Sequence, residues 1–258
     1  MEVQNLSNRK VISVSGKDAL SFLQGLVTND MNNLSEGNVV YTLMLTPQGR
    51  FAYDFFVTKN GDSILVDHEA SFTSEIKSKF NIYKLRSEVV IEDLSEKYNV
   101  LQYSSEQEGA YKDPRHSELG YRKYIEHEVK GDDSYDKKTY DLIIPEPHKD
   151  MIQGRSFPLE YGMDRFNAIS FEKGCYMGQE NTARTKYRGT VRKGLFGCVA
   201  DEDISSIALG TEILHGDAKL GIFCSALGNK GKILLRTEDF EKINTKSLII
   251  DGKKVAVI

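Results

Sequence analysis

Cys175 lies in the run Lys173-Gly174-Cys175-Tyr176-Met177-Gly178-Gln179-Glu180, where several chemistry-bearing residues are packed into eight positions. The thiolate is the reactive and metal-binding form of cysteine, and a nearby cation or helix N-terminus favours it. Lys173 supplies the cation, and the segment from Gln179 onward has the composition of a helix. Gly174 and Gly178 allow backbone angles and close approaches that residues with a Cβ resist. Gln179 and Glu180 add an amide and a carboxylate. Such a thiol suits redox exchange, a mixed adduct or contact with a metal or cluster. The structural alternative is a small buried hydrophobe. Cys198 and Cys224 fall in apolar runs and read as core.

Further along, Glu180, Arg184 and Arg188 recur every four residues and would share one helix face. They read either as a ladder of surface pairs or as a charged wall for an anionic ligand. Asp54 interrupts the apolar strand Tyr53-Asp54-Phe55-Phe56-Val57. Strand alternation decides whether it faces water or a pocket, and in a pocket it could bind a ligand amine or act as a base. His68, His116, His127, His148 and His215 are scattered without metal-ligand spacing and read as surface residues. No Walker A loop, G-x-G-x-x-G or G-x-S-x-G motif occurs.

Around these residues the chain reads as an α+β protein. Strands are expected at 11–16, 41–45, 51–58, 63–67, 89–93 and 99–103, with helices capped by Asp18 and running over 71–83. Helices segregated to one face of a sheet fit this order. Residues 104–122 are polar, 129–140 read as an irregular connection, and 162–169 and 179–187 as short helices. After Thr190, short apolar runs at 195–200, 219–226, 232–235 and 247–250 alternate with glycine turns, the texture of a small β-barrel. The expected division is therefore 1–189, with two subdomains joined near 104–140, and 190–258. A net charge of −4 argues against a global affinity for nucleic acid or an anionic membrane. Three cysteines without a C-x-x-C point away from a disulfide framework. The polar residues 1–10 lack an apolar targeting segment, so the cytoplasm is expected, although a processed organellar chain would look the same.

The octapeptide at 173–180 resembles the signature of the YgfZ family of folate-binding proteins in iron–sulfur cluster maintenance. Phe22-Leu23-Gln24-Gly25, Thr28-Asn29-Asp30, Asp113-Pro114-Arg115, Gly120-Tyr121-Arg122 and Phe157-Pro158-Leu159-Glu160-Tyr161-Gly162-Met163-Asp164 are similar to that family as well. The stretch 41–54 resembles the glycine-cleavage T-protein, a tetrahydrofolate-dependent aminomethyltransferase. Arg50 stands where that protein has a second glycine, and Tyr53 replaces the first aspartate of its pair.

The resemblance implies a cloverleaf-like α+β arrangement around a central folate channel, closed by a C-terminal β-barrel. It implies tetrahydrofolate or a one-carbon derivative as cofactor, with the pterin near Tyr41, Met44 and Asp54. The folate tail would lie on Arg50, Arg184 or Arg188. Cys175 would act at the channel mouth, tuned by Lys173, with Gln179 and Glu180 holding the loop. No metal site is expected in the chain itself. The implied partners are iron–sulfur client or assembly proteins, including enzymes that modify tRNA. The alternative is a tetrahydrofolate-dependent aminomethyltransferase of a glycine-cleavage system.

Overall fold

The computed structural model describes residues 2–132, 134–215, 218–243 and 246–258. Strands β1 (Val3–Asn5) and β2 (Arg9–Ser15) precede helix α1 (Ala19–Leu26). A meander follows: β3 (Val39–Leu45), β4 (Phe51–Asn60) and β5 (Ser63–Glu69). Helix α2 (Thr73–Tyr83) leads to β6 (Val90–Asp93), β7 (Asn99–Tyr103), β8 (Tyr111–Lys112) and β9 (Tyr121–Ile125). Helices α3 (Ser134–Asp141), α4 (Pro147–Asp150) and α5 (Gln179–Arg188) come next. The chain ends with β10 (Lys193–Ala200), β11 (Glu212–His215), β12 (Ala218–Leu227), β13 (Lys230–Arg236), α6 (Thr237–Lys242), β14 (Ser247–Ile250) and β15 (Lys253–Val257).

The strands form three sheets, in the orders β3-β4-β5-β2-β6, β1-β7-β9-β8 and β11-β12-β13-β10-β15-β14. In the first sheet both faces are covered, which is why every residue of β3 is buried. Val40, Met44, Phe55 and Val57 point to the face occupied by Phe22 and Leu23 of α1 and Ile76 and Phe80 of α2. Tyr41, Leu43, Phe51 and Phe56 point the other way, toward Leu159, Tyr161, Met163 and the C-terminal sheet residues Cys224 and Leu234. The C-terminal sheet curls until its edge strands β11 and β14 meet, giving a nearly closed barrel around Phe223, Ile233, Leu235 and Val255. Among the described residues no helix is long and apolar enough to cross a membrane.

Several local expectations change. Residues 134–141 form α3 rather than an irregular connection, because Tyr135, Thr139 and Tyr140 share a face and bury it. The polar stretch 104–122 contains the short strand β8 and the first residues of β9, an internal strand of the second sheet. The expected helix at 162–169 is absent: Gly162 and Asn167 adopt left-handed angles, with φ of 69° and 55°, and break the segment into turns. Asp18 precedes α1 without capping it, and its carboxylate accepts instead from the Glu88 amide at 2.7 Å. His68 is buried, not on the surface, and its Nε2 lies 2.9 Å from Thr73 Oγ1.

A buried ion pair joins the barrel to the rest of the chain. Lys232 on β13 meets Asp150 at the end of α4 at 3.0 Å, both fully buried. Asp150 also accepts from the Glu146 amide at 2.7 Å and from the Ser225 hydroxyl, and Tyr140 of α3 donates to Ser225 at 2.9 Å. Removing one partner of such a pair strands the other charge. Lys232→Met is therefore expected to lower unfolding free energy by about 3–5 kcal/mol, with Lys232→Met/Asp150→Asn recovering part of it. Denaturant titration checks both, and an undiminished single variant would refute the coupling.

Candidate functional site

The cysteine loop is pinned on two sides. Helix α1 ends in carbonyls with no intrahelical partner. Lys173 Nζ donates to three acceptors there: Gln24 O at 2.7 Å, Val27 O at 2.7 Å and Asn29 O at 2.8 Å. The Met177 amide donates to Gly25 O at 3.1 Å, and the Met177 side chain packs against the α1 core. Burial pulls the Lys173 pKa down to about 8, with Asp30 opposing it. The cradle fits the ammonium, whose three protons are all used. Lys173 thus spends its hydrogen bonds on backbone carbonyls rather than on the thiol.

On the other side, Gly178 lies against the β3–β4 turn. A Cβ at Gly178 would sit 2.3 Å from Thr46 O, and Gly178 has φ of 80°. Asn181 Nδ2 donates to Gln48 O at 2.7 Å, and the Tyr176 amide donates to Gln179 Oε1 at 3.1 Å. Between these anchors Cys175 is exposed, while Cys198 and Cys224 are buried. Burial pushes the Cys198 thiol up to about 12 and raises that of Cys224 as well. The chain therefore has one thiol in water and two inert ones. Among the described residues no group of three or more His, Cys, Asp and Glu side chains could hold a metal ion.

Thr28 and Asn29 extend the frame. Thr28 Oγ1 donates to Ala168 O at 2.6 Å and accepts from the Leu43 amide at 2.9 Å. Asn29 Nδ2 donates to Tyr41 O at 2.8 Å and Asn167 O at 2.6 Å. The end of α1, strand β3 and the segment leading to the cysteine are tied together.

The residues expected around a folate do not enclose a slot. Tyr41 and Met44 point to opposite faces of the first sheet. Asp54 is buried and paired with Arg9 at 2.9 Å. Arg50 stacks on Phe157, 3.5 Å from the ring centroid, and donates to Arg155 O at 2.5 Å. Glu180, Arg184 and Arg188 are exposed on α5 and pair neither with one another nor with other described residues. An expected charged ladder is thus absent; the ion pair on that helix is Lys186 with Asp164 at 2.8 Å.

Beside Asp54 lies a cluster that sequence reasoning left largely unread. Arg9 bridges Asp54 and Asp67, the latter at 2.7 Å. Arg122 meets Asp67 at 2.6 Å, and Tyr124 donates to it at 3.2 Å. Arg115 holds Asp113 at 2.8 Å and Glu146 at 2.8 Å. Charged residues inside apolar strands were the available signal: Asp67 stands in β5 as Asp54 does in β4.

A family model described as the GCVT N-terminal domain matches residues 2–104. The mitochondrial iron–sulfur cluster assembly factor IBA57 of Mus musculus is 30% identical, over 90% of this chain and 77% of its own length. The Homo sapiens protein of the same name is also 30% identical, with the same coverage. The chain belongs to the IBA57 family. The IBA57 homologue of Neurospora crassa is 34% identical over 75% of this chain, which spans only 52% of that relative's length. In structure, aminomethyltransferase T of the Bartonella henselae glycine cleavage system covers 99% of this chain with a TM-score of 0.76, and this chain covers 84% of it. At 14% identity that likeness concerns the fold alone. The cytoplasmic placement expected from the N-terminal residues is corrected by the IBA57 relatives, which are all mitochondrial proteins by name.

The charge cluster gives this IBA57 family member a defined acid response. Burial disfavours ionised Glu146, and Arg115, then His148, Lys232 and Lys149, outweigh it, so its carboxyl is held well below the usual range. Asp67 is likewise held down, with Arg9 and Arg122 outweighing burial. A carboxylate with a lowered folded pKa stabilises the fold above its unfolded pKa, about 4, and loses that contribution as pH falls toward the folded value. Unfolding free energy should decline gently below about pH 6.5, where burial of His68 opposes its protonation, and fall steeply below about 4.5, where the carboxylates protonate. Glu146→Gln should start lower and fall less. Denaturant titrations across pH check this, and parallel profiles for the two proteins would contradict it.

Proposed function

We propose that this chain is an accessory factor in iron–sulfur cluster assembly or repair, and that Cys175 is its point of chemical contact. The observation that carries this reading is the pinned loop: an exposed thiol fixed between the end of α1 and the β3–β4 turn. A thiolate there is a good iron ligand. With one exposed thiol and no multi-ligand metal group among the described residues, a cluster held through Cys175 takes its other ligands from a second protein. Iron–sulfur client or assembly proteins are therefore the partners. The cluster passes over Cys175 as cargo. Lys173 and Gly178 keep the sulfur at a fixed height above the surface, so docking the partner aligns the ligand without ordering a loop.

The closeness to YgfZ members inferred from residues 173–180 belongs to this reading, as does the support of tRNA-modifying client enzymes. Tetrahydrofolate or a one-carbon derivative is the cofactor implied by that resemblance. The saturated carboxylates around Asp54 do not favour it, and no step here runs through it. Aminomethyl transfer is disfavoured for the same reason: Asp54, the remaining aspartate of the T-protein pair, is neutralised by Arg9 instead of facing a substrate.

The test is complementation in cells that lack the endogenous protein, read as the activity of a [4Fe–4S] dehydratase. Cys175→Ser should fold like wild type and restore less than about a tenth of the activity, in line with removal of an essential ligand. Lys173→Met, which keeps the thiol and frees the loop, should restore an intermediate level. Full activity with Cys175→Ser would overturn the reading.

A further inference from the structure

A flat heteroaromatic ligand needs an aromatic face to stack on, free acceptors for its amines, and space. At the junction of the first and second sheets the ring face and the carboxylate acceptors are already taken, and little space is left. The Phe56 ring is covered by the Arg122 guanidinium at 3.6 Å from its centroid, with Arg115 at 4.8 Å and Arg9 at 5.4 Å. Tyr41 leans on the same ring, 4.6 Å between centroids, and lies 5.1 Å from Arg115. The four buried carboxylates of this junction have cationic partners: Asp54 has Arg9, Asp67 has Arg9 and Arg122, and Asp113 and Glu146 share Arg115. The Tyr135 hydroxyl donates to Glu146 at 3.0 Å as well.

What space remains is a cavity of about 10 Å³ whose lining includes Arg9, Phe56, Arg122, Glu146 and His148. That is room for one water; a ligand pocket holds roughly 300–1,000 Å³. Two of the lining residues carry buried polar atoms without a protein partner, Arg122 Nε and His148 Nδ1. A single water in a polar cavity commonly satisfies such groups.

We infer that the guanidinium groups of Arg9, Arg115 and Arg122 occupy the place that a pterin ring would need beside Tyr41 and Asp54, so that this junction is closed by the chain itself and takes no pterin. The planar cations do internally what a bound ring would do: they lie against Phe56 and Tyr41 and satisfy the carboxylates. Admitting a pterin would require a buried guanidinium to leave the ionic network, and that charge would then lack its carboxylate partner.

The experiment is calorimetric titration of the full chain with tetrahydrofolate and with 5-formyltetrahydrofolate at millimolar concentration. It is paired with amide hydrogen exchange over Arg9–Ser15, Phe51–Asn60 and Tyr121–Ile125. The inference predicts unchanged exchange in all three strands at the highest folate concentration, with or without saturable heat. Saturable heat with either folate, accompanied by slowed exchange in any of those strands, overturns it. The complementation test of Cys175 uses no added folate and can succeed or fail independently.

Discussion

Asp67 is the group around which the body of this protein is organised. It is fully buried in β5, yet it accepts from Arg9 of β2 and from Arg122 and Tyr124 of β9. One carboxylate therefore locks two sheets. Arg9 carries the network on to Asp54 of β4, and Arg115 repeats the arrangement with Asp113 and Glu146. Buried ion pairs contribute little net stability relative to apolar packing, but breaking one leaves an uncompensated charge. Their effect here is to fix geometry: each guanidinium fork accepts only one arrangement of its partners. The sheets cannot slide or separate without exposing several charges to a dry interior.

On that frame stands the thiol loop. Its position is inherited rather than local: Lys173 reads the end of α1, Thr28 and Asn29 tie that end to β3, and Gly178 rests on the turn that closes β3 and β4. The same sheet thus presents one face to the helices that hold the loop and the other to the ionic junction. Lys232 and Asp150 then attach the barrel. The result is an exposed sulfur on a rigid base, which suits a protein that lends one ligand to another protein's cluster better than one that encloses a substrate.

Much of this was legible in the sequence. The helix stripe Ala19, Phe22, Leu23 and Leu26, the β3–β4 hairpin and the glycine-punctuated barrel strands are local patterns, and they fold as their patterns direct. The need for glycine at 178 was legible too: its positive φ and its contact with the β3–β4 turn leave no room for a Cβ. What could not be read was direction. Lys173 sits two residues from Cys175, yet its partners lie some 150 positions upstream, on α1 and the residues after it. Asp54 was conspicuous as a charge in an apolar strand, but its partner Arg9 comes from another strand. Met44 and Tyr41 are three apart, which places them on opposite faces of a strand. The motifs at 113–115 and 120–122 contain Arg115 and Arg122, which sit in the buried ion-pair network. Helix α3 is not legible in the sequence because only three of its eight residues are buried, and tertiary contact with β1, β12 and β13 decides it.

The central claim is that Cys175 carries a cluster shared with a second protein. It is tested most directly by thiol alkylation in an anaerobic lysate of cells making the wild-type chain, with and without prior removal of iron by a chelator, read by mass spectrometry. The account predicts that Cys175 is shielded before chelation and reacts after it, while the buried Cys198 and Cys224 stay unmodified in both samples. Equal reactivity of Cys175 in the two samples would contradict it.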